Sequence, residues 1–297
     1  MLYLDEDRVR EALTWDRLIP AMEKALREFS LGRVIQPVRN MLTIEESARY
    51  LGIMPAVTQD AMGAKLVSFY PGNARTDLVT HYAMVLLFRP DTGEPIVVMD
   101  GRLITEMRTA AVSAAVTKYL AAPDSRVLAL LGSGVQAHAH IEALSQVCHF
   151  DEVRVWSRTV AHAERFAEQH GAKALSAEDA VRGADVIVTA TSALEPILKG
   201  AWLKPGAHVN AVGSPRPNWR ELDDRVMANT VIVDSREAVL KESGDVILSG
   251  AVIYGEAGEI FAGINVAPPA SNTTVFKSVG LAVEDITAAK LVYDALV

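Results

Sequence analysis

One stretch, Val127-Leu-Ala-Leu-Leu-Gly-Ser-Gly-Val-Gln-Ala-His-Ala-His140, constrains the fold of this chain more than any other. Five apolar residues run straight into Gly132-x-Gly134-x-x-Ala137, and Ile141, Leu144 and Val147 follow at helical spacing. That order predicts a buried strand, a glycine turn and a helix, the arrangement that holds a dinucleotide pyrophosphate. Gly132 permits the tight turn, Gly134 lets backbone approach the phosphates, and Ala137 keeps the helix close to the sheet. Free N–H groups at the helix start favour the phosphate charge, so Gly132, Ser133, Gly134, Val135 and Gln136 are the predicted cofactor contacts.

The next strand bears on which dinucleotide is held. NAD sites place an acidic residue at its end, for the ribose 2′-hydroxyl. Here Val153–Trp156 runs into Ser157-Arg158-Thr159, with no carboxylate before Glu164. A guanidinium flanked by two hydroxyls suits a 2′-phosphate. Ser157, Arg158 and Thr159 therefore point to NADPH over NADH, although Arg158 also reads as a solvated residue in a turn.

The pattern downstream alternates: strand 127–131, helix 136–147, strand 153–156, helix 160–169, then strands 186–190, 207–212 and 230–234. This predicts an α/β fold with a doubly wound parallel (Rossmann) sheet, and Ser176-Ala-Glu-Asp179 predicts a capped short helix within it. The lone Cys148 reads as a small buried residue of the helix after the glycine turn, and it leaves no intramolecular disulfide or Cys-rich metal site.

Upstream the pattern differs. Residues 14–32 carry Leu18, Met22, Leu26 and Phe29 on one helical face, with Gly32 as a stop and a start or kink at Pro20. Residues 34–39 read as extended, and 50–55, 62–69, 81–89 and 95–99 as strands joined by turns, hence a mainly antiparallel α+β domain. From Gly101 a small-residue helix presents Leu103, Met107, Ala111, Ala115 and Tyr119 as a stripe, and a helix over 281–296 is expected to pack back on the first domain. The predicted division is 1–118, with 279–297 returning to it, and 119–278.

Composition excludes several classes. A formal charge of −8 argues against a nucleic-acid partner. No uncharged run reaches the ~18 residues of a membrane-spanning helix, and the acidic start Met1-Leu-Tyr-Leu-Asp-Glu-Asp is unlike a signal peptide. These features predict a cytoplasmic protein. His138 and His140 face different sides of one helix, so no metal site is expected.

Three cations lie outside or at the border of the dinucleotide region. Lys65 sits in the apolar run Ala61-Met-Gly-Ala-Lys-Leu-Val67, and spacing alone allows either a buried lysine or one on a solvent face. Arg39 and Arg108 each read singly as structural arginines. Together the three would clamp a carboxylate if the fold brings them together.

Gln36-Pro-Val-Arg39, Lys65-Leu-Val-x-Phe-Tyr, Val98-Met-Asp-Gly101, Arg108-Thr-Ala-Ala-Val-Ser-Ala and the glycine turn resemble the ornithine cyclodeaminase/mu-crystallin family. Lys204-Pro-Gly-Ala-His-Val-Asn-Ala-Val-Gly213, Trp219-Arg-Glu-Leu-Asp-Asp224, Leu240-Lys-Glu-Ser-Gly-Asp-Val246 and Thr273-Thr-Val-Phe-Lys-Ser278 resemble its mu-crystallin branch. The resemblance implies a homodimer joined through the first domain and an active site in the interdomain cleft. It also implies a small imino-acid substrate whose carboxylate meets Arg39, Lys65 and Arg108, and it adds Thr191, Val212 and Phe276 to the cofactor contacts.

The branches differ in activity: NADPH-dependent ketimine reduction, ornithine cyclodeamination with a retained NAD, and alanine dehydrogenation. Non-catalytic ligand binding is known in the family as well. Cyclodeaminases carry an aspartate where this chain has Pro215, which exchanges no proton. The expectation is therefore an NADPH-dependent reductase of cyclic ketimine carboxylates. Ser214, Glu242 and Asp245 are the nearby groups that could stand in for the missing acid.

Overall fold

The computed structural model describes residues 1–45 and 49–297. It divides into two compact units, Met1–Arg108 with Leu281–Val297, and Thr109–Gly280.

The first unit is built on a six-stranded sheet in the order Leu2–Leu4, Pro95–Asp100, His81–Phe88, Met62–Phe69, Arg49–Val57, Asn40–Glu45. Leu2–Leu4 runs parallel to its neighbour and the other pairs are antiparallel. Because side chains alternate across a pleated strand, cross-strand partners share a face. One row therefore joins Met54, Lys65, Val85 and Met99 on the inner face, and another joins Ile53, Leu66 and Met84 on the outer.

The inner face packs against helix Ala282–Leu296, which in turn packs on helix Trp15–Ser30. Gly63 makes this close approach possible, since an added Cβ would meet Leu86 O and lie 2.9 Å from Ile286 Cδ1.

The helix within 14–32 runs Trp15–Ser30, so Pro20 lies inside it and does not start it. Pro20 is exposed, so its missing N–H leaves no buried carbonyl stranded. The strands Leu2–Leu4 and Asn40–Glu45 and the helix Glu6–Ala12 escaped the sequence pattern because they are short edge pieces with weak alternation.

The second unit holds an eight-stranded, wholly parallel sheet in the order Ile253–Glu256, Thr230–Val233, Thr274–Lys277, His208–Ala211, Val186–Thr189, Val127–Leu131, Glu152–Trp156, Lys173–Ala174. From Val127–Leu131 the chain moves outward in one direction and then returns to Val186–Thr189 on the other side. Ligands bind at the carboxyl ends of the strands beside such a reversal. Ser176 caps helix Ala177–Val181 by accepting from Asp179 N–H.

Two further expectations are corrected. Helix Arg102–Leu120 has no apolar stripe; its small residues are buried on every side while Tyr119 is exposed. Cys148 lies beyond the end of helix Val135–Leu144 and is half-buried, with burial pushing its thiol pKa up. Among the described residues no helix is long and apolar enough to cross a membrane.

Candidate active site

In the first unit the three cations converge. The inward row places Lys65 on the buried face at 2 % exposure, which rules out the solvent-facing alternative. Its Nζ lies 2.7 Å from Asp285 Oδ2 and donates to Thr105 Oγ1 at 3.3 Å. Arg108 Nε donates to Asp285 Oδ1 at 3.0 Å, and Arg108 Nη1 donates to Glu284 Oε2 at 2.5 Å. Arg39 ends the extended segment before strand Asn40–Glu45, near enough for its charge to act on Lys65.

Burial pushes the Lys65 pKa down to about 8; Asp285 opposes that shift, while Arg108 and Arg39 reinforce it. For Arg108 burial works against the charge, yet Asp285 and Glu284 outweigh it and hold the guanidinium above its ordinary value. The result is a buried lysine ready to exchange a proton, beside guanidinium groups suited to a carboxylate.

Asp285, Glu284 and Thr105 escaped the sequence reading. An amphipathic helix normally turns its acids to water, but both carboxylates in the first turn of Ala282–Leu296 are buried. The available signal was a pair of adjacent acids flanked by apolar residues, Ala282 and Val283 before them and Ile286 after.

In the second unit Gly132 adopts φ +121°, and an added Cβ there would sit 2.6 Å from Ala190 O. Gly134 is the N-cap of helix Val135–Leu144, and an added Cβ there meets nothing within 4 Å. The N–H groups of Ser133, Gly134, Val135 and Gln136 find no acceptor among the described residues. Open space beside unpaired donors at a helix start fits a pyrophosphate.

Ser157 is half-buried, and Arg158 and Thr159 are exposed just before helix Val160–His170, whose first turn carries no acid. Thr191 and Val212 follow the carboxyl ends of their strands. Phe276 lies within its strand and is fully buried, so its side chain belongs to the core.

A buried carboxylate organises these strand ends. Glu221 Oε1 accepts from Thr191 N–H and Thr191 Oγ1, both at 2.6 Å, and Oε2 accepts from Thr189 Oγ1 at 2.8 Å and Gly213 N–H at 3.0 Å. Burial raises the Glu221 pKa, against the pull of Lys277 and the threonine donors.

Asp245 lies in the first turn of helix Gly244–Ser249, where it accepts the N–H groups of Glu221 and Leu222 and pairs with Lys277 Nζ at 3.0 Å. It is thus committed inside the fold. Ser214, at φ +50°, donates its hydroxyl to Ala193 O at 2.7 Å. Among the described residues no cluster of three or more His, Cys, Asp or Glu could hold a metal ion.

The pattern of the ornithine cyclodeaminase/mu-crystallin family matches residues 2–297. The chain belongs to that family. Within it, the ketimine reductase mu-crystallin of Rattus norvegicus is 52 % identical over 305 residues, covering 99 % of this chain and 96 % of that one. The structure of Thermococcus litoralis Δ1-pyrroline-2-carboxylate reductase in complex with NADH and L-proline superposes with a TM-score of 0.94 at 35 % identity, covering 99 % of this chain and 97 % of the other. An archaeal alanine dehydrogenase dimer with bound NAD gives 0.93 at 32 % identity, with coverage of 99 % and 95 %.

Proposed function

We propose that this protein is an NADPH-dependent reductase of small cyclic ketimine carboxylates, such as Δ1-piperideine-2-carboxylate or Δ1-pyrroline-2-carboxylate. The observation that carries this reading is that Lys65 and Arg108 share the buried carboxylate of Asp285, with Arg39 near enough for its charge to act on Lys65. The similarity to enzymes that reduce ring imines supports it.

In the reaction the ketimine, one hydride and one proton give the cyclic amino acid, and NADPH becomes NADP⁺. When bound, the nicotinamide supplies the hydride to the imine carbon. Arg39 and Arg108 bind the substrate carboxylate, and the Lys65 ammonium donates toward the imine nitrogen, which ends the reaction protonated. Holding the carboxylate at two guanidinium groups fixes the imine relative to Lys65, so orientation contributes to the rate. In the second unit Gly132–Gln136 take the pyrophosphate and Ser157, Arg158 and Thr159 the 2′-phosphate. Glu221 holds the Thr191 and Gly213 backbone in place.

The active form is a homodimer in the cytoplasm. The outer row Ile53, Leu66 and Met84, extended by Leu42, Ile44 and Tyr82, presents apolar side chains on the face of the first sheet away from its core. A second copy covering that face would remove them from water.

The chain should not be an ornithine cyclodeaminase. Pro215 offers no proton, the Ser214 hydroxyl is taken by Ala193, and Asp245 is paired with Lys277. A three-armed assay tests the reading: NADPH oxidation with cyclic ketimines, NADPH oxidation with pyruvate plus ammonia, and proline release from ornithine with NAD. Activity confined to the first arm is expected. Turnover of ornithine near one per second, within the ordinary range for enzymes, would overturn the reading, and no activity in any arm would favour a binding protein.

A further inference from the structure

Asp285 is fully buried in the first turn of helix Ala282–Leu296 and divides its oxygens between two cations from two other elements. Oδ2 faces Lys65 Nζ, from strand Met62–Phe69, at 2.7 Å, and Oδ1 accepts from Arg108 Nε, from helix Arg102–Leu120, at 3.0 Å. Glu284 takes one hydrogen of Arg108 Nη1. A guanidinium has five N–H groups, so the Nη2 edge of Arg108 stays available for a ligand among the described residues. Thr105 Oγ1 donates to Gly101 O at 2.7 Å, which turns a lone pair toward Lys65.

We propose that Asp285 is a positioning residue: one carboxylate, with an oxygen on each cation, aims Lys65 and Arg108 at the same substrate and keeps Lys65 an ammonium ion. The proposal rests on the reading of this cluster as the substrate site. The groups facing Lys65 are Asp285 from the last helix, Arg108 and Thr105 from helix Arg102–Leu120, and Arg39 from the extended segment, with Glu284 on the far side of Arg108. Asp285 favours the ammonium form of Lys65, by its charge and its hydrogen bond, while burial and both arginines oppose it. A substrate carboxylate can draw on Lys65 only while that charge persists, so the pH range of activity is set by a residue that need not touch the substrate. Loss of Asp285 shifts the lysine toward its neutral form, because burial and two guanidinium groups then act on the amine without that opposing charge.

The test is Asp285→Asn in the full-length protein, with Lys65 followed by ¹³Cε-lysine NMR (its resonance assigned through Lys65→Arg) and kcat/KM for a cyclic ketimine measured across pH. The Lys65 midpoint near 8 is expected to fall by roughly 1–3 units, as for loss of an adjacent opposite charge. The alkaline limb of kcat/KM should move with it. Glu284→Gln, which removes a carboxylate bonded to Arg108, should move the Lys65 midpoint far less. A folded Asp285→Asn protein with an unchanged Lys65 midpoint overturns the proposal.

Should Asp285→Asn fail to fold, Asp285→Glu keeps the charge and displaces it. Its Lys65 stays protonated while kcat/KM falls at least about tenfold, as a small misplacement does; an unchanged kcat/KM overturns the aiming role. A wild-type protein inert toward every ketimine, with the Lys65 midpoint still shifting in Asp285→Asn, contradicts the proposed function and leaves the hold of Asp285 on Lys65 standing.

Discussion

The side-chain oxygen of Gln36 accepts a 2.7 Å hydrogen bond from the N–H of Val283, a residue 247 positions further along the chain. Helix Ala282–Leu296 has Leu281 at its N-cap and so lacks a side-chain cap of its own. Gln36 supplies that bond from the segment that ends in Arg39. A substitution here should loosen both the helix that carries Asp285 and the segment that carries Arg39. Gln36→Ala is expected to cost about 1 kcal/mol, the usual value of a lost helix cap, and to lower Tm by a few degrees. An unchanged Tm would show that the bond is idle.

Arg39 and Arg108 should fail in different ways. Arg108→Ala leaves Glu284 and Asp285 buried with one cation fewer, a loss of about 3–5 kcal/mol for a broken buried pair, so denaturant unfolding should show a large drop. Arg39 is only half-buried. Arg39→Ala should leave the fold largely intact and raise KM for a carboxylate substrate by roughly 10- to 100-fold, the worth of a charged hydrogen bond. An imine lacking the carboxylate should be spared. Equal losses with both substrates would make Arg39 structural.

Cofactor choice should turn on Arg158, which is exposed and outside the core. Arg158→Ala is expected to weaken NADPH by about 1.5–3 kcal/mol and to leave NADH unaffected, as read by fluorescence titration. Equal kinetics with the two cofactors in the unaltered protein would contradict this.

Acid should destabilise the second unit through its buried histidines. His140 is buried, bonded to Gln136 O and Ser113 Oγ, and burial pushes its pKa down to about 4; burial does the same to His208. Both are neutral in the fold and take up protons on unfolding. Stability is therefore complete above pH ~6.5 and is lost as pH falls toward 4, at roughly 1.4 kcal/mol per pH unit for each histidine. Urea unfolding between pH 7.5 and 5 measures the slope, and His140→Asn should lessen it. A flat profile would refute the assignment.

Much of this architecture was legible in the residues because it repeats simple patterns. The strand and glycine turn at Val127–Gly134 are a local device, so their geometry follows from adjacent residues. Met62–Phe69 is followed by the turn residues Tyr70-Pro-Gly-Asn73, and its bounds could be read off. What escaped depends on contacts distant in sequence. Thr274–Lys277 is a central strand between His208–Ala211 and Thr230–Val233, outside the alternation that the residues show up to 230–234. Its neighbours come from earlier crossovers that no local pattern specifies. Asp285 joins Lys65 across most of the chain, and a single sequence carries no mark of that pairing. Phe276 is fully buried because its strand is central.

The central claim is that hydride passes from the reduced nicotinamide to the imine carbon of a ring ketimine carboxylate. NADPH carrying deuterium at both C4 positions, incubated with the protein and Δ1-piperideine-2-carboxylate, tests this directly by mass spectrometry of the product. The account predicts an intact ring amino acid with one deuterium on the carbon that bears the carboxylate, formed at about 1–10³ per second. A product without deuterium, or no ring amino acid while pyruvate and ammonia yield deuterated alanine, would contradict it.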